Sequence, residues 1–233
     1  MDLKALLKRQ PRIESASLAG WTAVCRARRP AQVRRFLEAP GPHRVILGAS
    51  RHLLDGWLAT DLIPKSRQHV YLDATEPFPF PDGSIDRILC EHMIEHVPAE
   101  AGAALLAECR RVLAPGGRIR LATPDLDNVL SLGEPELDDR RERYVAWSNA
   151  EFGADGAGAV TVINRLFHEW GHQFLYDEPT LRGVLEDAGF VDVCRRSVGH
   201  SEDADFDGID FHGESIPAEW NDFETMVLEA TVS

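Results

Sequence analysis

Residues 71–97, YLDATEPFPFPDGSIDRILCEHMIEHV, contain the pattern that decides the fold. Two β-rich runs, HVYLD at 69–73 and IDRILC at 85–90, are separated by a turn rich in proline and glycine. The residues that end or directly follow these runs include Asp73, Ala74, Glu91 and His92. Short apolar runs bounded by turns are typical of buried strands, and ligands of open α/β sheets bind beyond the carboxyl ends of such strands.

The same pattern continues on both sides of this stretch. Further β-rich runs are RVILG at 44–48, GWLATD at 56–61, PGGRIRLAT at 115–123, VDVCRRSVG at 191–199 and ETMVLEATV at 224–232. Helical patterns occur at 30–39, at about 99–113 and from Asp177 to Ala188. Strands that alternate with helices predict βαβ units, so we expect an α/β fold with a mostly parallel sheet covered on both faces.

Length and composition indicate one globular domain. The chain has 233 residues, of which 44% are hydrophobic and 27% charged, ordinary values for such a domain. No apolar run approaches the roughly 20 residues of a membrane span, and residues 1–15 lack the features of a secretory signal. The four cysteines form no C-x-x-C pair, which indicates reduced thiols and predicts a cytoplasmic protein.

The charge is large and unevenly distributed. A formal net charge of −13 argues against nucleic acid as the main partner. Residues 1–52 hold 11 Lys/Arg and 3 Asp/Glu, a net of +8, whereas residues 53–233 carry −21. The basic region can be a solvated helical face, or a contact for an acidic substrate, a membrane surface or an acidic partner. The sequence does not decide between these interpretations, nor does it indicate an oligomeric state.

Two segments differ from the alternating pattern. A Pro-Gly-Pro break at 40–42 separates residues 1–40, which we predict to form a helical N-terminal extension, from a main domain at 41–233. Within that domain the chain becomes less regular after the fifth strand, and we expect an insertion or lid at about 124–176.

Two histidine-containing pentapeptides raise the question of a metal. HEWGH at 168–172 spells the H-E-x-x-H of zinc peptidases, which on a helix places two imidazoles and a glutamate around one ion. HMIEH at 92–96 reads as the inverted form, H-x-x-E-H. Its first histidine falls at the end of a strand, where the peptidase motif needs the middle of a helix.

The surroundings of HEWGH argue against a zinc peptidase. The extended motif supplies a third ligand, but Leu175 and Glu178 occupy the positions of its glycine and last histidine. Helical spacing also predicts that Phe167 and Trp170 face the core. A zinc-dependent hydrolase that uses His168 and His172 therefore stays an alternative, and we assign no metal ligand.

The strand ends carry a resemblance to a known family. VILGAS at 45–50, GWLATDL at 56–62, the stretch at 71–97 and ECRRVLAPGGRIRLATPDL at 108–126 together resemble class I S-adenosylmethionine-dependent methyltransferases. They are most similar to small bacterial predicted methyltransferases, and the resemblance resumes at 171–193 and at the closing ETMVLEA. It implies a Rossmann-like, seven-stranded, mostly parallel sheet with helices on both faces, whose last strand is antiparallel and forms a hairpin with the sixth.

Matched residue by residue, the resemblance also implies a site for S-adenosylmethionine. The cofactor-binding residues that it implies are Gly48, Ala49, Ser50, Asp61, Asp73, Ala74, Glu91 and His92. The first three would line the methionine side of the cofactor, and Asp61 would hold the ribose hydroxyls. Asp73 and the Ala74 amide would bind the adenine edge, whereas Glu91 and His92 would lie beside the sulfonium.

The activity implied is methyl transfer to a small-molecule or carbohydrate-like acceptor. His92 and His96 are the predicted catalytic residues, because a histidine of near-neutral pKa can take the acceptor's proton. Where the superfamily usually has Gly-x-Gly, this chain has serine at position 50, so an inactive cofactor-binding protein is a second alternative. Only 13 residues separate Gly48 from Asp61, so the first crossover helix should be short or replaced by a loop.

Overall fold

The computed structural model describes residues 11–233, with side chains from residue 18 onward. Residues 1–10 of the predicted extension therefore lie outside the described part. Helix α1 (Pro11–Glu38) continues through Pro30 and is longer than the predicted helix at 30–39. Its Val33 is buried in the main core, and the division of the chain at residue 40 stays a prediction.

The other elements follow in the predicted alternation. The helices are α2 (Ala99–Val112), α3 (Leu126–Ser131), α4 (Asp139–Glu151), α5 (Ala159–His168), α6 (Glu178–Asp187) and α7 (Ala218–Glu224). The strands are β1 (Arg44–Leu47), β2 (Trp57–Asp61), β3 (Val70–Tyr71), β4 (Ile85–Glu91), β5 (Leu113–Pro124), β6 (Phe190–Arg196) and β7 (Thr225–Val232). Short 3-10 turns occur at Ile94–His96 and His212–Glu214. None of the described helices is long and apolar enough to cross a membrane.

The seven strands form one sheet in the order β3-β2-β1-β4-β5-β7-β6. All neighbouring pairs are parallel except those of β7, which runs antiparallel to both β5 and β6. The predicted Rossmann-like sheet with an antiparallel last strand is thus confirmed. The strand order reverses between β1 and β4, and in open α/β sheets ligands bind at this point.

One face of the sheet packs against helices. Leu106 of α2 and Leu185 of α6 are completely buried against Ile88 and Leu121 of the central strands. The apolar positions of α2 recur at helical spacing, which gives this helix one face for the core. Burial of apolar surface is therefore the main source of stability on this side.

The opposite face is covered by an irregular segment, residues 197–211, which we call the covering segment. Its Phe206 is fully buried against Ile46 of β1 and Leu89 of β4. The residues between β1 and β2 form turns and no helix, as their short interval predicted. The covering segment thus packs where the sequence provides no first crossover helix.

Ion pairs hold the covering segment in place. Arg44, Arg87 and Arg118 lie opposite one another on β1, β4 and β5. Asp203 accepts a 2.7 Å bond from Arg87, and Asp205 accepts a 2.6 Å bond from Arg44. The acidic stretch near residue 204 therefore neutralises a row of arginines on the sheet.

The predicted insertion at 124–176 contains three helices, α3 to α5, and packs with α7. Its apolar cluster includes Tyr144, Leu166 and Phe223. The prediction that Phe167 and Trp170 face the core is wrong, because they are 39% and 47% exposed. For Trp170 the reason is that α5 ends at His168, before the helical spacing can bring its side chain back to the core.

Candidate active site at the carboxyl ends of the strands

The turn after β1 brings the backbone close to the segment that follows β4. Gly48 has a φ of +68°, and a Cβ there would lie 2.5 Å from Met93 Cγ, so glycine is required. Ser50 also has a positive φ, of 51°. The side chain of Ala49 is buried in the core beneath the turn, so only its backbone can line a ligand site.

The two predicted nucleoside-binding carboxylates lie at the ends of neighbouring strands. Asp61 accepts backbone bonds from Ser50 (2.8 Å, at Oδ2) and Ile63 (2.7 Å, at Oδ1). Asp73 accepts from the amide and hydroxyl of Thr75, both at Oδ1. A carboxylate has about four lone-pair sites, so both residues keep acceptor capacity for a ligand.

A cleft of about 150 Å³ lies between the ends of β1 and β4. Glu91 forms part of its wall, and its Oε1 accepts the backbone amides of Phe211 and His212, each at 2.9 Å. Its Oε2 is buried and has no hydrogen-bond partner among the described residues. Burial is the largest influence on Glu91 and raises its pKa. Phe211 stacks on His52 at 4.4 Å between ring centroids and narrows the cleft.

A second, larger cavity of about 330 Å³ adjoins this cleft under α4, α5 and α7. Its aromatic and acidic lining includes Tyr144, Glu151, Phe152, Trp170 and Glu224. The cleft and the cavity share three lining residues, His92, His212 and Ser215. These three residues therefore mark the junction between the two spaces.

His92 follows β4 directly and both of its ring nitrogens are engaged. Nδ1 lies 3.1 Å from Glu95 Oε1, and Nε2 lies 3.2 Å from Thr225 Oγ1. Thr225 donates its only hydroxyl hydrogen to Asn221, so it accepts from His92. Because both ring nitrogens donate a hydrogen, the His92 ring is protonated and is an imidazolium. Burial alone would lower the pKa of His92, but the Glu95 hydrogen bond and nearby carboxylates raise it overall.

His212 forms a second polar unit at the junction. Its Nε2 lies 2.8 Å from Glu224 Oε1, and Tyr144 donates a 2.5 Å bond to Glu224 Oε2. Burial, followed by the charge of Glu224, raises the Tyr144 pKa well above its usual range, so the phenol keeps its proton. Since Glu224 accepts the Nε2 hydrogen of His212, the neutral ring carries its lone pair on Nδ1. His212 was not among the predicted site residues, because it lies in an acidic loop without any recognisable motif.

His96 and His172 lie deeper in the cavity wall, with ring centroids 5.1 Å apart. Glu95, His96 and His172 each offer a ligand atom, and these atoms lie within 4.8 Å of one another. His168 is exposed at the end of α5, so HEWGH does not form one helical turn. The zinc peptidase alternative loses the helix on which its geometry depends. Burial lowers the pKa of His172.

Comparisons with known proteins agree with this architecture. Residues 58–121 match the family model described as "Methyltransferase domain". The match runs from β2 to β5 and agrees with the resemblance of the sequence to class I S-adenosylmethionine-dependent methyltransferases. A curated relative, an uncharacterized 37.1 kDa protein in transposon Tn4556 of Streptomyces fradiae, is 42% identical over 72 residues. That match covers 31% of this chain and 20% of the relative, so this chain spans about a fifth of that protein.

Solved structures show a more distant similarity. One is a SAM-dependent methyltransferase from Archaeoglobus fulgidus, with 17% identity, a TM-score of 0.47 and coverage of 99% of this chain and 100% of the other. Another is phosphoethanolamine N-methyltransferase 2 of Haemonchus contortus in complex with S-adenosylhomocysteine, with 15% identity and a TM-score of 0.44. It matches 88% of this chain and 52% of its own length. At this level the similarity says nothing about the reaction or the acceptor.

Proposed function

We propose that this protein binds S-adenosylmethionine at the strand-end cleft and transfers its methyl group to a small acceptor in the adjoining cavity. The observation that carries the proposal is the junction of the two spaces at His92, His212 and Ser215. A methyl donor on one side and an acceptor on the other would meet there. The cavity, at about 330 Å³, is within the usual size of small-molecule pockets.

The residues of the cleft fit the cofactor. Glu91 Oε2 is a buried acceptor without a partner among the described residues, and it suits a donor such as the ammonium group of a bound methionine moiety. Asp61 and Asp73 keep lone pairs for ribose hydroxyls and an adenine amino group. The cleft of about 150 Å³ has room for only part of the cofactor, so the nucleoside would lie outside it along the ends of β2 and β3.

When bound, the cofactor supplies a methyl group on a positively charged sulfur, and its transfer breaks the carbon–sulfur bond and leaves a neutral thioether. The protein has to orient the acceptor and receive its proton. We propose His212 as the base, because Glu224 holds its Nε2 hydrogen and leaves Nδ1 for the proton. The acceptor would be a hydroxyl- or amine-bearing small molecule, and carbohydrate-like acceptors belong to this class.

The catalytic roles predicted for His92 and His96 need adjustment under this proposal. His92 has no nitrogen free to take a proton while it is bonded to Glu95 and Thr225. Its imidazolium would instead position Glu95 and pack against His212, whose ring centroid is 4.0 Å away. His96 lines the cavity but does not reach the cleft, so we propose that it contacts the acceptor rather than the cofactor.

Calorimetry with S-adenosylhomocysteine tests the cofactor part of the proposal. The Asp61→Ala variant should bind it roughly tenfold more weakly or worse, because it loses hydrogen bonds to a charged acceptor. Asp55→Ala is the matched control, since Asp55 is an exposed carboxylate in the same connection. Equal affinity in both variants, or no binding by the unmodified protein, would refute the proposed cofactor site.

Methyl transfer from labelled cofactor to a panel of small alcohols and amines tests the activity. For an accepted substrate, His212→Ala should lower kcat about a hundredfold or more while the affinity for S-adenosylhomocysteine is unchanged. If the protein binds S-adenosylhomocysteine but methylates nothing in the panel, the inactive cofactor-binding alternative is supported instead. A large loss of turnover in His92→Ala with none in His212→Ala would return the role of base to His92.

A further inference from the structure

The two histidine-containing pentapeptides, HMIEH and HEWGH, each contribute to one cluster in the cavity wall. We propose that Glu95, His96 and His172 form a binding site for a divalent transition-metal ion such as Zn²⁺. Their three ligand atoms lie within 4.8 Å of one another. Two imidazoles with one carboxylate are a ligand set that suits Zn²⁺ and Fe²⁺.

Small side-chain movements would complete this site. Nitrogen and oxygen ligands lie about 2.0–2.2 Å from Zn²⁺, so tetrahedral ligand atoms are roughly 3.4 Å apart. The three atoms therefore need to approach by up to about 1.4 Å. His96 and His172 are partly exposed at the cavity, whereas Glu95 is completely buried, so the adjustment falls on the two histidines.

Hydrogen bonds around the cluster already orient the ligands. Glu95 accepts from His92 at Oε1 and from Thr123 at Oε2, each at 3.1 Å. His172 donates its Nδ1 hydrogen to the carbonyl of Leu166 at 2.7 Å, which leaves the Nε2 lone pair for an ion. Metal ligands in proteins are commonly held by such outer hydrogen bonds, which fix the tautomer and the direction of the lone pair.

The backbone also joins the two pentapeptides. Trp170 and Gly171 have φ values of 54° and 85°, so the chain reverses just before His172. Gln173 then donates its amide to the carbonyl of Glu95 and its side chain to the carbonyl of His96, at 2.7 and 2.6 Å. A left-handed tryptophan costs energy, and such strain is concentrated at functional sites.

An ion held by three protein ligands keeps open positions for a further ligand. Here they would lie at the surface of the cavity, where an oxygen or nitrogen of a small molecule could complete the coordination. The inference goes beyond the proposed methyl transfer, because metal binding requires neither the cofactor nor an acceptor.

Titration of the full chain with Co²⁺ and Zn²⁺, after treatment with a chelator, tests this site. We expect one ion per chain, visible absorption from bound Co²⁺, and displacement of Co²⁺ by Zn²⁺. His172→Ala, His96→Ala and Glu95→Gln should each weaken the affinity for Zn²⁺ about tenfold or more. His168→Ala is the matched control, because it removes the exposed histidine of the same pentapeptide and should leave the affinity unchanged.

Circular dichroism of each variant shows whether the fold is retained, and the two variants at the cavity-lining histidines test the site even if Glu95→Gln unfolds. The proposal is refuted if the unmodified protein binds no Co²⁺ or Zn²⁺. It is equally refuted if folded His96→Ala and His172→Ala variants bind as tightly as the control, or if His168→Ala loses the ion to the same extent.

Discussion

The two faces of the sheet are stabilised in different ways. The helical face is apolar, and its buried residues, such as Leu106 and Leu185, come from regular helices. The other face carries Phe206 within a covering segment that has no regular structure and is held by arginine–aspartate pairs. The same connection continues to His212 at the junction of cleft and cavity. Substitutions on the face under the covering segment should therefore affect both stability and function, whereas substitutions on the helical face should affect stability alone.

The largest effect on stability is expected at a buried ion pair on the face under the covering segment. Arg120 donates a 2.6 Å bond to Glu229, and both side chains are almost completely buried. Glu229→Ala leaves a buried arginine without its main partner and should lower the free energy of unfolding by about 3–5 kcal/mol. Urea denaturation measures this change.

Glu202→Ala provides the control for that variant. Glu202 pairs with Arg196 but is 77% exposed, so its loss should cost less than about 1 kcal/mol. Equal losses in the two variants would show that burial does not distinguish these ion pairs.

A pair of core truncations tests whether function is coupled to only one face. Phe206→Ala should cost about 3–5 kcal/mol and Leu106→Ala about 2–5 kcal/mol, because both side chains are completely buried. At a temperature where both variants are folded, only Phe206→Ala should also weaken binding of S-adenosylhomocysteine. The reason is that it loosens the covering segment, which ends at Phe211, and the Phe211 amide is bonded to Glu91 in the cleft. Calorimetry provides the measurement, and equal weakening by Leu106→Ala would contradict the comparison.

The smallest effect on stability is expected at a partly exposed ion pair on the helical face. Glu108 on α2 accepts from Arg111 and from the Phe78 amide, and the Arg111 bond above all lowers the pKa of Glu108. A lowered pKa contributes stability above the ordinary glutamate pKa of about 4.3, and this contribution disappears as the pH falls through the lowered value. Because the pair is partly exposed, Glu108→Gln should cost at most about 1 kcal/mol at pH 7.

Urea denaturation of Glu108→Gln and of the unmodified protein across the acid range tests the direction of the Glu108 pKa shift. The difference in stability should shrink as the pH falls below about 4. A difference that grows on acidification would contradict the assigned pKa direction.

The strand-end residues were predictable because each ends or closely follows its own strand. The run VIL of β1 and the runs around Asp61, Asp73 and Glu91 specify local structure, and parallel pairing then brings their ends to one edge. Some of the predicted helix limits were also local in origin. Asp177 caps α6 through a 2.9 Å bond from the Thr180 amide, and Gly189 ends it with a φ of 90°.

The sequence by itself thus determined the sheet and the position of the cleft at the ends of β1 and β4, and its family resemblance implied the antiparallel last strand. Only the tertiary structure decided the cavity, the base-like pair of His212 and Glu224, and the meeting of His96 with His172. These groups come from segments up to about 130 residues apart that share no periodicity or spacing. Local sequence patterns reflect hydrogen bonding and burial within one strand or helix. The position of an irregular segment depends instead on the surface of the folded sheet against which it packs. The row of arginines on β1, β4 and β5 becomes such a surface only once the strands have paired.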